Sequence, residues 1–240
     1  MKREKVLAWG VHLYTATGLI LAAGMAVLIV RGGDASFRSA LLLMVLATFI
    51  DSTDGWLARR ARVREVVPNF DGRRLDDIVD FHTYTSLPLL LVWRAGVLPQ
   101  EYAWWLLLPL LASVYGFSQV NAKTPDGYFL GFPSYWNVVT FYLYLLHPPY
   151  WLSLAIIVLF SLLTFVPTRY LYPSSRAPFS RLTALLAALW AVSCFLILSG
   201  VTGDSSWPVL LSFSFPAYYL LMSWALSIHH WRHRHQPSTL

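Results

Sequence analysis

The sequence predicts an all-α membrane protein, a polytopic helix bundle with about eight transmembrane helices. Residues of the set AVILMFWYC fill 57% of the 240 positions and charged residues only 12%, about half the roughly 25% of a soluble domain. Mean hydropathy is +0.53. A soluble fold of this size could not cover so much apolar surface with a polar coat. The apolar residues also fall into long runs, and a bilayer core needs about 20 such residues per helix. The same numbers exclude intrinsic disorder. Cys194 is the one cysteine, which excludes an internal disulfide and any cysteine-cluster metal site.

The expected spans are residues 6–30, 36–58, 75–95, 102–120, 132–148, 150–167, 179–200 and 206–230. The first starts basic and turns apolar, but it is too long for a signal peptide and lacks a small-residue cleavage site. The second ends, and the third begins, in a run of aspartates. Trp104 and Trp105 mark the outer end of the fourth, as an aromatic belt would. The fifth and sixth are short, and only His147-Pro148-Pro149-Tyr150 divides them, a turn whose prolines stop the helix. Trp151 and Trp207 sit at further outer ends. The tail from His229 to His235 (HHWRHRH) reads as a basic anchor on anionic headgroups rather than a metal site. No soluble domain or repeat interrupts the pattern, so residues 1–240 are expected to form a single integral membrane catalytic domain.

Charge placement gives the orientation. With a cytoplasmic N-terminus, the inner segments hold Lys2, Arg3, Lys5, Arg59, Arg60, Arg62, Arg64, Arg73, Arg74, Lys123, Arg169, Arg176, Arg181, Arg232 and Arg234, which is 15 of the 18 Lys and Arg. Only Arg31, Arg38 and Arg94 fall outside. This bias fits the positive-inside rule. It predicts cytoplasmic N- and C-termini, and it accounts for the net charge of +6 without a nucleic-acid partner.

Seven of the 12 acidic residues lie between Asp51 and Asp80: Asp51, Asp54, Glu65, Asp71, Asp76, Asp77 and Asp80. Asp51 and Asp54 are spaced i,i+3 at the inner end of the second span. Asp76 and Asp80 are spaced i,i+4 at the start of the third. Each pair shares one helix face. Solvation or the loop arginines explain Glu65 and Asp71. They explain Asp51 and Asp80 poorly, because both adjoin apolar sequence. A carboxylate inside a span costs roughly 2.5–3.5 kcal/mol, and facing carboxylates repel. A divalent cation relieves both costs. All-oxygen ligation without thiolate favours Mg²⁺ or Mn²⁺, and Mg²⁺ commonly works with substrate phosphates. A carboxylate cage at a basic rim therefore suggests phosphoryl chemistry. Gly55, Ala58 and Gly72 leave room for a ligand beside the helix backbones, and Arg59 is placed to meet phosphate oxygens.

The pattern Asp51-x2-Asp54-Gly55-x2-Ala58-Arg59, then Gly72-x3-Asp76-x3-Asp80, resembles the signature of the CDP-alcohol phosphotransferase family. Geometry alone leaves Asp76 and Asp77 open; the resemblance selects Asp76. The twelve residues between Arg59 and Gly72 (RARVREVVPNFD) exceed the family's usual spacing. They are similar to the bacterial phosphatidylcholine synthase branch. So are VHLYTATG near the start, IVDFHTYTSLP after the motif, and KTPDGYF followed by GFPSYWNVVTFYLYLL. The likeness thins out after about residue 147.

The resemblance implies a six-helix catalytic core, here extended to eight helices and commonly a homodimer, in the bacterial inner membrane. It implies two divalent cations, Mn²⁺ or Mg²⁺, on Asp51, Asp54, Asp76 and Asp80, with Asp80 as general base. It implies a CDP moiety against Gly55, Ala58, Arg59 and Gly72. Its substrates would be CDP-diacylglycerol, a membrane lipid, and choline, with CMP released. His12 and Thr15 in the first span are further candidates for the nucleotide, with packing as the competing role. For choline the expected ring faces are Tyr84, Tyr128 and Trp136, because a quaternary ammonium donates no hydrogen bonds and is held by aromatic faces.

Two other readings compete. One keeps the enzyme and changes the acceptor to inositol phosphate, glycerol phosphate, serine or ethanolamine. A phosphorylated acceptor needs a cationic pocket, and downstream of the motif only Lys123, Arg169, Arg176 and Arg181 offer one. The other is a cation carrier. It is disfavoured because the acids cluster at one rim and no pair of spans looks broken.

Overall fold

A computed structural model describes residues 2–124, 126–171, 179–203 and 206–234. Arg176 and His235 lie outside the described residues. The described chain is almost wholly helical, as its composition predicts. The helices are α1 (Lys2–Arg31), α2 (Asp34–Arg60), the single turn α3 (Val63–Val66), α4 (Gly72–Asp80), α5 (Leu87–Arg94), α6 (Leu107–Ser118), α7 (Trp136–Leu146), α8 (Tyr150–Leu163), α9 (Ser180–Ser199), α10 (Trp207–Ser212) and α11 (Ser214–Arg234).

Among the described residues four helical stretches are long and apolar enough to cross a membrane: Lys2–Arg31, Asp34–Arg60, Arg181–Ser199 and Trp207–Arg232. Helices α7 and α8 are shorter apolar helices. The fifth and sixth spans are thus separate, split at Pro148 and Pro149, with His147 left-handed at φ 44°. The third span is continuous from Gly72 to Arg94, but α4 and α5 are joined by a π-helical turn, Phe81–Ser86. There the Leu87 N–H reaches back five residues to the His82 carbonyl. The fourth span begins as a 3-10 turn, Gln100–Leu106, before α6.

Among the described residues two short strands accompany the helices. Strand β1 (Tyr128–Leu130) pairs antiparallel with β2 (Arg169–Leu171). The fifth span therefore starts later than expected. Gly131 follows β1 with φ +81°, and a Cβ there would lie 2.2 Å from the Thr164 carbonyl oxygen. Only glycine fits, and the turn it makes sends the chain out of the strand before α7.

The chain packs as two compact units, Met1–Leu110 with Tyr135–Ile157, and Leu111–Ser134 with Val158–Leu240. In the first unit, α1 buries the stripe Ala8, His12, Thr15, Gly18, Ala22, Met25 and Ile29. Steps of three and four keep these residues on one face. Small residues let the helices approach closely. A Cβ on Gly18 would lie 2.4 Å from Val79 Cγ1 of α4, and one on Gly24 would lie 3.1 Å from Leu43 Cδ1 of α2. In the second unit, serines of α11 satisfy the β2 backbone. Ser227 Oγ accepts from the Arg169 N–H at 2.7 Å, and Ser223 Oγ from the Leu171 N–H at 3.1 Å.

Candidate active site

The site is built in the first unit, where Asp51 in the C-terminal half of α2 faces Asp76 and Asp80 in the C-terminal half of α4. Asp71 begins α4: its carboxylate accepts from the backbone N–H groups of Arg73 (3.1 Å) and Arg74 (3.2 Å). That is N-cap geometry. Starting the helix here sets Asp76 and Asp80 one turn apart on the face that meets Asp51. Carboxylate oxygens of Asp51, Asp76 and Asp80 all lie within 4.8 Å of one another, and the three side chains are half-buried. Asp77 is not in this group. Glu65 and Asp71 pair with Arg62 and Arg74 respectively, in line with a surface role for both.

At such separations two carboxylates repel by about 3 kcal/mol at an effective dielectric of 20. A cation between them reverses the sign of that interaction. The donors are hard oxygens with no thiol or imidazole among them, and they fit Mg²⁺ or Mn²⁺ better than Zn²⁺. The residues present therefore suit the divalent ion that the motif implies.

Asp54 sits apart from the trio. It is 6% exposed and accepts a 2.7 Å hydrogen bond from Thr15 Oγ1 of α1. Thr15 thus reaches a motif aspartate directly. His12, one turn earlier on the same face, lies against Gly72. A Cβ on Gly72 would lie 2.6 Å from the imidazole Cε1, so the space the missing side chain leaves is held by His12. The ring also packs on Phe70 and Trp9, with centroids 4.4 and 5.7 Å away. Its Nε2 is buried with no protein partner. At Gly55 an added Cβ would meet Arg59 Nη1 at 3.5 Å. The guanidinium therefore folds back over that glycine. Ala58 is half-buried beside it.

The long loop between Arg59 and Gly72 packs onto the first turns of α1. Arg62 pairs with Glu4 at 3.2 Å, and Phe70 packs on Trp9 with centroids 5.1 Å apart and the rings tilted by 58°.

The three expected choline rings differ in setting. Tyr84 lies in the π turn, 6% exposed, and its hydroxyl donates to Asp51 Oδ2 at 2.6 Å. Trp136 opens α7 and is fully buried. Tyr128 lies in β1 of the second unit, with the Arg169 guanidinium 5.4 Å above its ring. Arg169 also pairs with Asp126. Two features of the site escaped the sequence reading. One is the Tyr84 hydroxyl on Asp51, whose only signal was the i,i+4 spacing from Asp80. The other is Tyr135, whose ring centroid lies 5.9 Å from that of Tyr84.

Comparison with known proteins gives a consistent picture. Residues 12–228 match the CDP-alcohol phosphatidyltransferase family. Among similar proteins is the phosphatidylcholine synthase of Pseudomonas aeruginosa, 35% identical over 215 residues, covering 89% of this chain and 88% of the relative. The phosphatidylcholine synthase of Legionella pneumophila is 35% identical over 229 residues, covering 90% and 87%. That of Borreliella burgdorferi is 31% identical over 202 residues, covering 84% of each.

Proposed function

The chain belongs to the CDP-alcohol phosphatidyltransferase family, and we propose that it is a phosphatidylcholine synthase acting on CDP-diacylglycerol and choline. The observation that carries the reading is the facing trio Asp51, Asp76 and Asp80, in the motif register, in a chain whose relatives bear that name.

Asp51, Asp54, Asp76 and Asp80 would hold two divalent cations, Mg²⁺ or Mn²⁺, which supply charge neutralisation for the pyrophosphate and the leaving CMP. Gly55, Ala58, Arg59, Gly72, Thr15 and His12 would surround the CDP moiety. Arg59 provides a planar donor pair for phosphate oxygens. The buried His12 Nε2 lacks a protein partner and suits a nucleotide contact. Asp80 takes the proton from the choline hydroxyl as its oxygen bonds to the phosphatidyl phosphorus. The bond from that phosphorus to the bridging oxygen breaks, and the electron pair leaves with CMP. A neutral alcohol is a weak nucleophile, so a positioned base is required. Tyr84, Tyr128 and Trp136 are the rings proposed for choline, with Tyr84 bordering the carboxylates.

The chain is proposed to act as one catalytic domain and a homodimer. It would lie in the bacterial inner membrane with its termini and active site in the cytoplasm, as the charge bias favours.

Phosphorylated acceptors are the second reading. One observation weighs against it: Arg169, one of the four cations that could serve such an acceptor, is engaged by Asp126 and by the Tyr128 ring.

The test is an alcohol panel. Purified full chain receives CDP-diacylglycerol with labelled choline, ethanolamine, serine, inositol phosphate or glycerol phosphate, and CMP is measured. Choline-dependent CMP release with labelled lipid product is expected. Turnover with another alcohol and none with choline overturns the reading.

A further inference from the structure

We infer that Tyr84 is a positioning residue for the metal site: its hydroxyl fixes the Asp51 carboxylate so that Asp51 can ligate alongside Asp76 and Asp80. The inference rests on the proposed metal site, and it separates two parts of one side chain. The ring borders the proposed choline region. The hydroxyl serves Asp51.

The geometry supplies the constraints. Tyr84 Oη donates to Asp51 Oδ2 at 2.6 Å, the short range typical of a hydrogen bond to a charged oxygen. An ionised carboxylate has about four lone-pair sites, so this bond leaves Asp51 able to bind a cation through its other sites. Tyr84 is itself held. It is 6% exposed between the buried Thr83 and Thr85, and the Tyr135 ring lies 5.9 Å away at a 40° tilt. A donor whose own ring cannot swing defines where the acceptor must be.

The need for such a donor follows from the charges. Three carboxylates within 4.8 Å repel until a cation arrives. Asp51 alone of the three comes from α2, so its place beside the other two depends on contacts between elements, and the Tyr84 hydroxyl bond is one of them. The Tyr84 hydroxyl holds it in the ligating arrangement beforehand. Partners of this kind commonly change metal affinity by about 10–100-fold when removed.

The Tyr84→Phe variant removes the oxygen and keeps the ring. Mn²⁺ is titrated into the purified full chain in detergent, and the unbound ion is followed by electron paramagnetic resonance. The expected result is at least about tenfold weaker Mn²⁺ binding. Turnover should recover at high Mn²⁺, and the choline KM at saturating Mn²⁺ should not change. A merely structural role would lower Tm without moving the Mn²⁺ dissociation constant. Unchanged Mn²⁺ affinity in Tyr84→Phe overturns the inference. If that variant does not fold, Tyr84→Met, which also lacks the hydroxyl, takes its place: Mn²⁺ binding at least about tenfold weaker is expected again, and unchanged Mn²⁺ affinity overturns the inference. Asp76→Asn distinguishes the two levels. If it abolishes Mn²⁺ binding while Tyr84→Phe does not alter it, only the role of Tyr84 fails. If Asp76→Asn leaves Mn²⁺ binding intact, the metal-site reading fails and this inference falls with it.

Discussion

His12 occupies the space that a side chain on Gly72 would need: a Cβ there would lie 2.6 Å from the imidazole Cε1 and 3.1 Å from Nδ1. Gly72→Ala must therefore displace a buried ring between α1 and α4. Overpacking of this kind costs about 1–3 kcal/mol. Tm should fall, and the KM for CDP-diacylglycerol should rise. His12→Ala in the same chain should restore part of the lost Tm, because the two side chains compete for one space. Additive losses in the double variant, measured as a thermodynamic cycle, would refute the clash.

Asp80→Asn keeps the size of the side chain and removes both its charge and its capacity to accept a proton. Turnover should fall by roughly 10²–10⁴-fold if Asp80 is the general base. Asp77→Asn should lose far less, because Asp77 lies outside the trio formed by Asp51, Asp76 and Asp80. Steady-state rates for the two variants at saturating metal check the assignment, and equal losses would contradict it.

Chelation should abolish activity. EDTA followed by Mn²⁺ or Mg²⁺ should restore it, while Ca²⁺ should not. Ca²⁺ prefers six to eight oxygens at longer distances and would misplace the phosphates. Full turnover in excess chelator would remove the metal from the mechanism.

Choline recognition is checked ring by ring. Removing one ring of a cation-binding cage should weaken choline by about 0.5–2 kcal/mol, seen in the choline KM with the CDP-diacylglycerol KM little changed. The variants are Tyr84→Ala, Tyr128→Ala and Trp136→Ala. Wild-type choline KM in all three, with folded protein, places the cage elsewhere.

Acid should loosen the loop before β1. The carboxyl of Asp126 is held below its ordinary range by the Thr124 hydroxyl and then by the Arg169 guanidinium. A carboxylate lowered on folding stabilises at pH above its unfolded value. That contribution disappears as pH falls through the folded value. Asp126 is half exposed, so the effect should stay below about 1 kcal/mol. Tm measured across the acid range should drop more for the unsubstituted chain than for Asp126→Asn.

Helical spacing puts Asp76 and Asp80 on one face, but it leaves Asp77 as the alternative to Asp76. It also pairs Asp51 with Asp54, which lies outside the trio of Asp51, Asp76 and Asp80. His12 and Thr15 share the buried stripe that begins at Ala8. The contacts they make were not legible. That Thr15 meets Asp54 and that His12 fills the gap at Gly72 depend on how closely α1 approaches α2 and α4, which spacing within one helix does not encode. The strands β1 and β2 were missed because each is three residues long and pairs across a sequence separation that no local period marks. The π turn was invisible for a similar reason: one residue beyond helical spacing changes no composition.

That π turn amounts to a single inserted residue, since Leu87 bonds five residues back rather than four. One residue rotates a helix by about 100°. The insertion therefore lets one continuous rod serve two directions. Upstream of it, Asp76 and Asp80 face Asp51 of α2. Downstream, Leu87, Leu89, Leu91 and Val92 are buried in the core. Removing one residue between 81 and 86 would yield a more regular helix and swivel its two halves against each other. The apolar half is the better anchored, so the aspartates would be the ones to turn away.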